Sequence, residues 1–133
     1  IYYMLKANII NINDVKLLVD SFYAKVKEDD LLAKIFDDVI KDNWPFHLEK
    51  MYRFWQTILL DEHTYNGRPF VPHAKLPIDK IHFDRWLELF YLTVDENFVG
   101  EKAYEAKWRA DKMAEMFLNK IKYYKNNPDK IAI

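Results

Sequence analysis

His73 is the residue whose type and setting most clearly indicate chemistry. It lies within the run from 65 to 90, between an Asn-Gly pair at 66–67 and Pro77. Asn-Gly pairs and prolines interrupt regular helices, so this histidine must lie on a short, constrained segment. A neutral imidazole can bind a metal ion, and it can also take up or release a proton near neutral pH. We therefore expect this segment to position His73 for one of those tasks.

Most other kinds of catalytic site lack the residues that they need. The chain has no cysteine, which excludes thiolate zinc sites, iron–sulfur clusters and cysteine nucleophiles. Two isolated glycines cannot form a phosphate-binding loop, and the one serine, Ser21, has no glycine-flanked nucleophile elbow. No two histidines have the spacing of a zinc hydrolase, and only Asp79 and His82 approach the Glu-x-x-His spacing of a di-iron bundle.

Length and charge indicate one domain without a nucleic-acid or membrane partner. A chain of 133 residues suits a single domain, and its 20 basic residues nearly balance 21 acidic ones. No positive field would therefore attract nucleic acid or an anionic membrane. No apolar run reaches the roughly 18 residues of a transmembrane helix. The first residues also lack the pattern of a secretion signal, so we predict a cytoplasmic protein.

The aromatic content is high, at 17% of the chain. Aromatic side chains enclose flat or bulky ligands at low entropic cost, but they also build ordinary cores. The composition alone therefore fits an enclosed ligand and an aromatic-rich core equally well.

Apolar residues recur at helical spacing along most of the chain. The long helices predicted from this pattern are one that starts at the N-cap Asn13 and three over about 43–60, 78–98 and 101–124. Leu31 to Phe36 is expected to form only a helical turn, and 70–76 at most one or two turns. The chain is thus predicted to be a single all-α domain, 1–133, with its core over about 13–125 and peripheral ends at 1–12 and 126–133.

Two polar residues lie beside the apolar faces of these helices. Tyr23 borders the buried stripe of the first helix, and His47 is the one polar member of a line through Met51, Phe54 and Ile58. On this pattern alone, each is more often a residue at the edge of a core than a ligand. One well-placed histidine and an aromatic wall would suit several sites, among them a haem pocket, which needs an axial imidazole, an apolar slot and donors on the opposite face.

Five motifs occur in an order that resembles the truncated haemoglobins of group three. They are the pair Phe22-Tyr23, the pair Ile35-Phe36, the run W-x-x-H-L-x-x-M-x-x-F-W from Trp44 to Trp55, the run Y-N-G-x-P-F-x-x-H from Tyr65 to His73, and HFDRWLELF from His82 to Phe90. The resemblance covers roughly 13–125, and the chain lacks the glycine pairs that groups one and two usually carry.

The resemblance implies a two-over-two helical sandwich that encloses haem b, with a very short proximal helix. It implies that His73 is the proximal axial ligand, that Tyr23 and Trp86 are distal donors, that His47 is the distal histidine and that Phe36 wedges against the porphyrin. Residues expected in the wall are Met51, Phe54, Trp55, Leu76 and Phe83.

Charged or polar residues near the implied site have less specific roles. His82 could compete with His73 as axial ligand, but its place at the start of a helix favours capping or a contact with a haem propionate. Lys50 and Arg53 are further candidates for propionate contacts, although charged residues on a helix more often form its solvated face.

The implied function is tight binding of diatomic gases, namely dioxygen, nitric oxide and carbon monoxide, with cyanide and peroxide as further candidates. Two distal donors would slow the release of dioxygen, which favours redox chemistry of nitric oxide dioxygenase or peroxidase type, served by a separate reductase, over transport. The alternatives are a simple oxygen storage or transport globin, and a haem-free helical module whose aromatic groove accepts a partner helix or an apolar ligand.

Overall fold

The structure, a computed structural model, describes residues 6–132 and is all-α, as predicted. Its elements are α1 (Ile12–Glu28), α2 (Ala33–Ile40), α3 (Trp44–Leu60), the short 3₁₀ helix Val71–His73, α4 (Lys80–Asn97) and α5 (Glu101–Asn126). Among these residues the β pairing consists of one isolated bridge between Ala7 and Phe98. Residues 1–5 and 133 belong to the ends expected to be peripheral and lie outside the described residues. No helix within 6–132 is long and apolar enough to cross a bilayer.

The long helices form two pairs. α1 packs against α3, α4 packs against α5, and α1 also runs against α4, which joins the pairs. This is the two-over-two sandwich that the resemblance implies. On α5, buried Ala103, Ala106 and Ala110 have side chains small enough to allow close approach of the neighbouring helices. A second, smaller cluster packs the His73 segment onto the far half of α5 and contains Phe70, Ala74, Ile78, Phe117 and Ile121.

Local signals set where α1 and α3 begin: capping hydrogen bonds for α1 and a proline for α3. The N-cap of α1 is Asn11, so the prediction of Asn13 was wrong by two residues. The Asn11 side chain accepts the Asp14 N–H at 3.1 Å, and the Asp14 carboxylate accepts the Asn11 N–H at 3.2 Å. This reciprocal pairing satisfies donors that would otherwise be free at the helix start. α3 begins at Trp44 with Pro45 in its first turn, as predicted.

α2 is longer than the single turn predicted at Leu31 to Phe36. It continues to Ile40, whose side chain is buried, and ends at Lys41, which has a positive φ of 54°. The Asp29 carboxylate accepts the N–H groups of the two residues that precede the helix, at 3.0 and 3.1 Å. An acceptor placed in this way favours a helix that continues beyond one turn.

The described residues before α1, 6–11, are not wholly peripheral, which differs from the prediction for residues 1–12. Ile9 is 1% exposed and belongs to the main core. The Asn8 side-chain oxygen accepts the Lys102 N–H at 3.0 Å in the first turn of α5, and Ala7 O accepts the Val99 N–H at 3.1 Å. At the other end, α5 runs to Asn126, and Ala132 contacts the smaller cluster.

Thr57 on α3 anchors the loop that leads to His73. Its hydroxyl donates to Arg53 O at 2.9 Å and accepts the N–H groups of Thr64 at 3.1 Å and Tyr65 at 3.0 Å. The backbone of the loop is therefore hydrogen-bonded to α3 at Thr64 and Tyr65, before the chain reaches the 3₁₀ helix.

Replacing Thr57 with valine is expected to lower the free energy of unfolding by about 1–2 kcal/mol, since two backbone N–H groups lose their acceptor. The measurement is urea unfolding of the parent and variant. Thr57→Ser keeps the hydroxyl and removes the methyl group, so it should stay closer to the parent. Equal destabilisation by both variants would mean that methyl packing, and not the acceptor, holds the loop.

Candidate functional site

A cavity of about 220 Å³ opens between the helix pairs and is lined from every helix. All the residues that the resemblance implies for a site lie in its wall, and these are Tyr23, Phe36, His47, Met51, Phe54, Trp55, His73, Leu76, Phe83 and Trp86. Packing of α1 against α4 brings together two of these residues that are 63 positions apart, Tyr23 and Trp86. The wall also contains residues that the sequence indicated only as core, including Phe22, Met113 and Phe117.

His73 ends the 3₁₀ helix on one side of the cavity. Its Nδ1 lies 2.7 Å from the carbonyl oxygen of Pro69. A carbonyl can only accept, so Nδ1 carries the proton and Nε2 keeps its lone pair. Burial lowers the pKa of His73; the Pro69 hydrogen bond opposes this and nearby Lys50 adds to it. The ring is therefore a neutral, fixed imidazole with one free basic nitrogen, which is the form that binds a metal ion.

His82 lines the same cavity, but its Nδ1 accepts a hydrogen bond, whereas Nδ1 of His73 donates one. Its Nδ1 accepts the N–H of Asp79 at 2.9 Å, as part of the capping box at the start of α4. A neutral His82 then carries its proton on Nε2 and is a donor. This geometry suits a contact with an anionic group and leaves no free lone pair for a metal ion.

Tyr23 and Trp86 supply donors on other parts of the wall. Tyr23 is 7% exposed, and burial raises the pKa of its hydroxyl, so the group stays protonated. The Trp86 indole N–H can only donate. Phe22 lies between the two, with its ring centroid 5.0 Å from that of Tyr23 and 5.4 Å from that of Trp86. The pair therefore offers two hydrogen-bond donors to one cavity at neutral pH.

His47 carries an unsatisfied buried atom. Its Nε2 has no hydrogen-bond partner among residues 6–132, although a buried polar atom is normally paired. The ring lies edge-on to Tyr23 and Trp44, at centroid distances of 5.2 and 5.8 Å. Burial lowers the pKa of His47 to about 4, and nearby Lys50 and His73 add to the shift. A neutral nitrogen without a partner in a cavity wall indicates that a ligand belongs beside it.

Comparison with known proteins identifies the family. A model of the bacterial-like globin family matches residues 8–119. A group 3 truncated haemoglobin of Campylobacter jejuni is 32% identical over 124 residues, which cover 90% of this chain and 98% of that protein. This chain belongs to the group III truncated haemoglobins. The crystal structure of a group III truncated haemoglobin from Campylobacter jejuni superposes with a TM-score of 0.81 and 32% identity, covering 88% of this chain and 95% of that one.

Members of the globin family bind haem and, through it, small gases such as dioxygen, and the cavity of this truncated haemoglobin fits that group. The fit rests on the free Nε2 of His73, the orphaned Nε2 of His47 and the aromatic wall between them. Family membership favours the haem protein over the haem-free helical module.

The two charged candidates for propionate contacts, Lys50 and Arg53, differ in their position relative to the cavity. Lys50 lines the cavity. Arg53 does not; its guanidinium bonds to Glu49 at 3.0 Å and Gln56 at 2.9 Å, and a propionate contact from Arg53 stays a prediction. The Pro69 carbonyl, which orients His73, was missed from the sequence. The spacing of four residues between Pro69 and His73 is the signal that could have indicated it.

The imidazole of His47 is expected to stay neutral well below neutral pH in this truncated haemoglobin. The unfolded chain takes up a proton near pH 6.5 and the folded chain only near pH 4, so His47 should make stability fall as pH drops through that window. The measurement is a ¹⁵N NMR titration of the ferrous carbon monoxide form, with His47→Gln to assign the signal. An imidazole that titrates near its ordinary pKa would contradict the burial of this group.

Proposed function

We propose that this protein holds haem b through His73, retains dioxygen by hydrogen bonds from Tyr23 and Trp86, and uses it in redox chemistry instead of transport. The observation that carries the proposal is the pair of permanently protonated donors in one apolar cavity. Nitric oxide and carbon monoxide fit the same place, as do cyanide and peroxide. A separate reductase in the cytoplasm would supply electrons.

The residues that would hold the cofactor surround the cavity. His73 Nε2 would bind the iron, and the macrocycle would lie among Phe36, Met51, Phe54, Trp55, Leu76 and Phe83. Lys50 and the Nε2–H of His82 would meet the propionates, since both line the cavity and both favour an anion. When bound, haem supplies an iron that takes a diatomic ligand and exchanges electrons.

The donors decide how long the ligand stays. A hydrogen bond to a charge-bearing partner is worth about 1.5–3 kcal/mol, which is roughly tenfold to hundredfold in a dissociation constant. Tyr23 and Trp86 together could thus slow release by about two to four decades if their effects added. A carrier must unload its cargo, so retention of this size favours reaction over delivery.

The surrounding rings strengthen these donors. Phe22, Phe36 and Trp44 pack against Tyr23 and keep water from competing for its hydroxyl. A hydrogen bond in such surroundings is stronger than in water because the local dielectric constant is low. Neutral His47, next to Tyr23, offers a third polar group that can donate or accept without adding charge.

The test is repeated turnover with nitric oxide. In each cycle one nitric oxide, one dioxygen and one electron form one nitrate, so we expect air-saturated protein with a chemical reductant to produce nitrate well beyond its own concentration. Controls are free haemin and a Tyr23→Phe/Trp86→Phe variant. Fast oxygen release with no more nitrate than free haemin produces would favour storage or transport.

A further inference from the structure

Asp29 is a buried carboxylate at a junction of three helices. Its side chain is 2% exposed. One oxygen accepts the N–H groups of Leu31 and Leu32 at 3.1 and 3.0 Å, and the other accepts Nε of Arg85 at 2.6 Å. Two of these donors belong to the turn before α2 and the third to α4, so the carboxylate joins distant parts of the chain and is not a surface ion pair.

Each element that meets at Asp29 also contributes to the proposed distal pocket. α1 ends at Glu28, and its last turns carry Tyr23. α2 follows the residues that Asp29 caps and carries Phe36. Arg85 directly precedes Trp86 on α4. One hydrogen-bonded ion pair, joining residues 56 positions apart, therefore links the helix of one donor to the helix of the other.

The ion pair between Asp29 and Arg85 resists displacement of α4 relative to α1. Burial alone would raise the pKa of Asp29, but the hydrogen bonds from Arg85, Leu32 and Leu31 outweigh it and lower that pKa, so the group is ionised. A buried charge that loses its partner is strongly destabilising, which penalises any shift of α4 that breaks the contact. On its solvent side, Arg85 also bonds to Glu88 at 2.8 Å, and this second contact does not reach α1.

Trp86 depends on its helix for its position. Its ring stacks on Phe90 at a centroid distance of 5.4 Å and an angle of 8°, and it meets the edge of Phe22 at 5.4 Å. These contacts fix the ring plane but do not resist sliding of α4 along α1 in the way that a directional ion pair does. A hydrogen bond weakens steeply with misalignment, so a small slide would cost much of the donation.

We propose that Asp29 and Arg85 are positioning residues that set the Trp86 N–H relative to the Tyr23 hydroxyl, an inference that rests on the donor roles proposed above. Neither side chain lines the cavity. Both act on the ligand only through the placement of α1 and α4.

The test compares Asp29→Asn and Arg85→Met with the parent in the haem-loaded protein. We expect the oxygen dissociation rate to rise about threefold to tenfold, because part of the Trp86 donation is lost. The C–O stretch of the ferrous carbon monoxide form should move to higher wavenumber and broaden. Arg85→Lys, which keeps the charge, should lie closer to the parent. If Asp29→Asn does not fold, the comparison of Arg85→Met with Arg85→Lys still tests the proposal.

Matched controls remove other partners from α4. Glu88→Gln removes the charge from the second contact of Arg85, and Asp84→Asn removes it from the exposed Lys80–Asp84 pair on the same helix. Both should leave the C–O stretch and the oxygen dissociation rate close to those of the parent. A shift from these controls as large as that from Arg85→Met would overturn the proposal.

The same measurements in a Trp86→Phe background separate the two proposals. If Arg85 acts through Trp86, Arg85→Met should have little further effect there, whereas an undiminished effect would overturn the positioning role. If Trp86→Phe shifts both readouts but Asp29→Asn and Arg85→Met shift neither, the positioning role alone fails. If Trp86→Phe itself shifts neither readout, the donor role of Trp86 fails and the positioning role fails with it.

Discussion

Replacing His73 with glycine is expected to weaken haem binding by more than about a hundredfold, and added imidazole should restore it. The Nε2 of His73 is the free basic nitrogen on its side of the cavity, and its ring is held by the Pro69 carbonyl and lies 4.9 Å from the Phe117 ring. Glycine leaves a space of imidazole size beside those two groups. A free imidazole can therefore enter and supply the missing ligand, while the rest of the wall is unchanged.

The measurement is the Soret absorbance during haem titration, with and without imidazole. His82→Gly is the matched control: it removes a second histidine from the cavity wall, together with the capping interaction at Asp79, so it should lower stability while keeping the parent's axial spectrum. Unchanged spectra in His73→Gly, together with a lost Soret band in His82→Gly, would transfer the axial role to His82.

Removing either distal donor is expected to speed oxygen release. Tyr23→Phe and Trp86→Phe keep the ring contacts with Phe22 but delete the O–H and the N–H, so each should raise the dissociation rate by about tenfold to hundredfold. The double variant should not exceed about four decades, and it should fall short of the product if the donors share one ligand atom.

The measurement is stopped-flow displacement of oxygen by carbon monoxide. Tyr52→Phe is the matched control for tyrosine, because that hydroxyl bonds to Asp20 and its ring does not line the cavity. Trp108→Phe, on the exposed side of α5, is the control for tryptophan. If Tyr23→Phe and Trp86→Phe both left the rate within about twofold of the parent, retention through these donors would be abandoned.

Local patterns predicted the long helices well because their signals lie within one or two turns. The apolar line through His47, Met51 and Phe54 sets the face that α3 turns to the cavity, and Asn43 and Pro45 set where the helix starts. The N-cap of α1 was misplaced at Asn13 because asparagine is a good cap at either position, and the reciprocal bonds between Asn11 and Asp14 are visible only in the structure.

Long-range pairing was beyond a sequence-based prediction. Nothing local shows that Ile9 enters the core or that Asn8 caps α5, since a short extended segment has no periodicity to detect. The turn before α2 is held by Asp29, whose other oxygen pairs with Arg85 on a distant helix.

The acceptor behind His73 also bears on which redox reaction suits the site. It is a main-chain carbonyl, which is uncharged and cannot be changed by substituting a side chain. A carboxylate in that place would make the ring more basic and would push electron density toward the iron, which helps to split a peroxide O–O bond. The uncharged Pro69 carbonyl makes the ring less basic than a carboxylate would. Of the two reactions proposed above, we therefore expect the oxidation of nitric oxide to suit this imidazole better than the cleavage of peroxide.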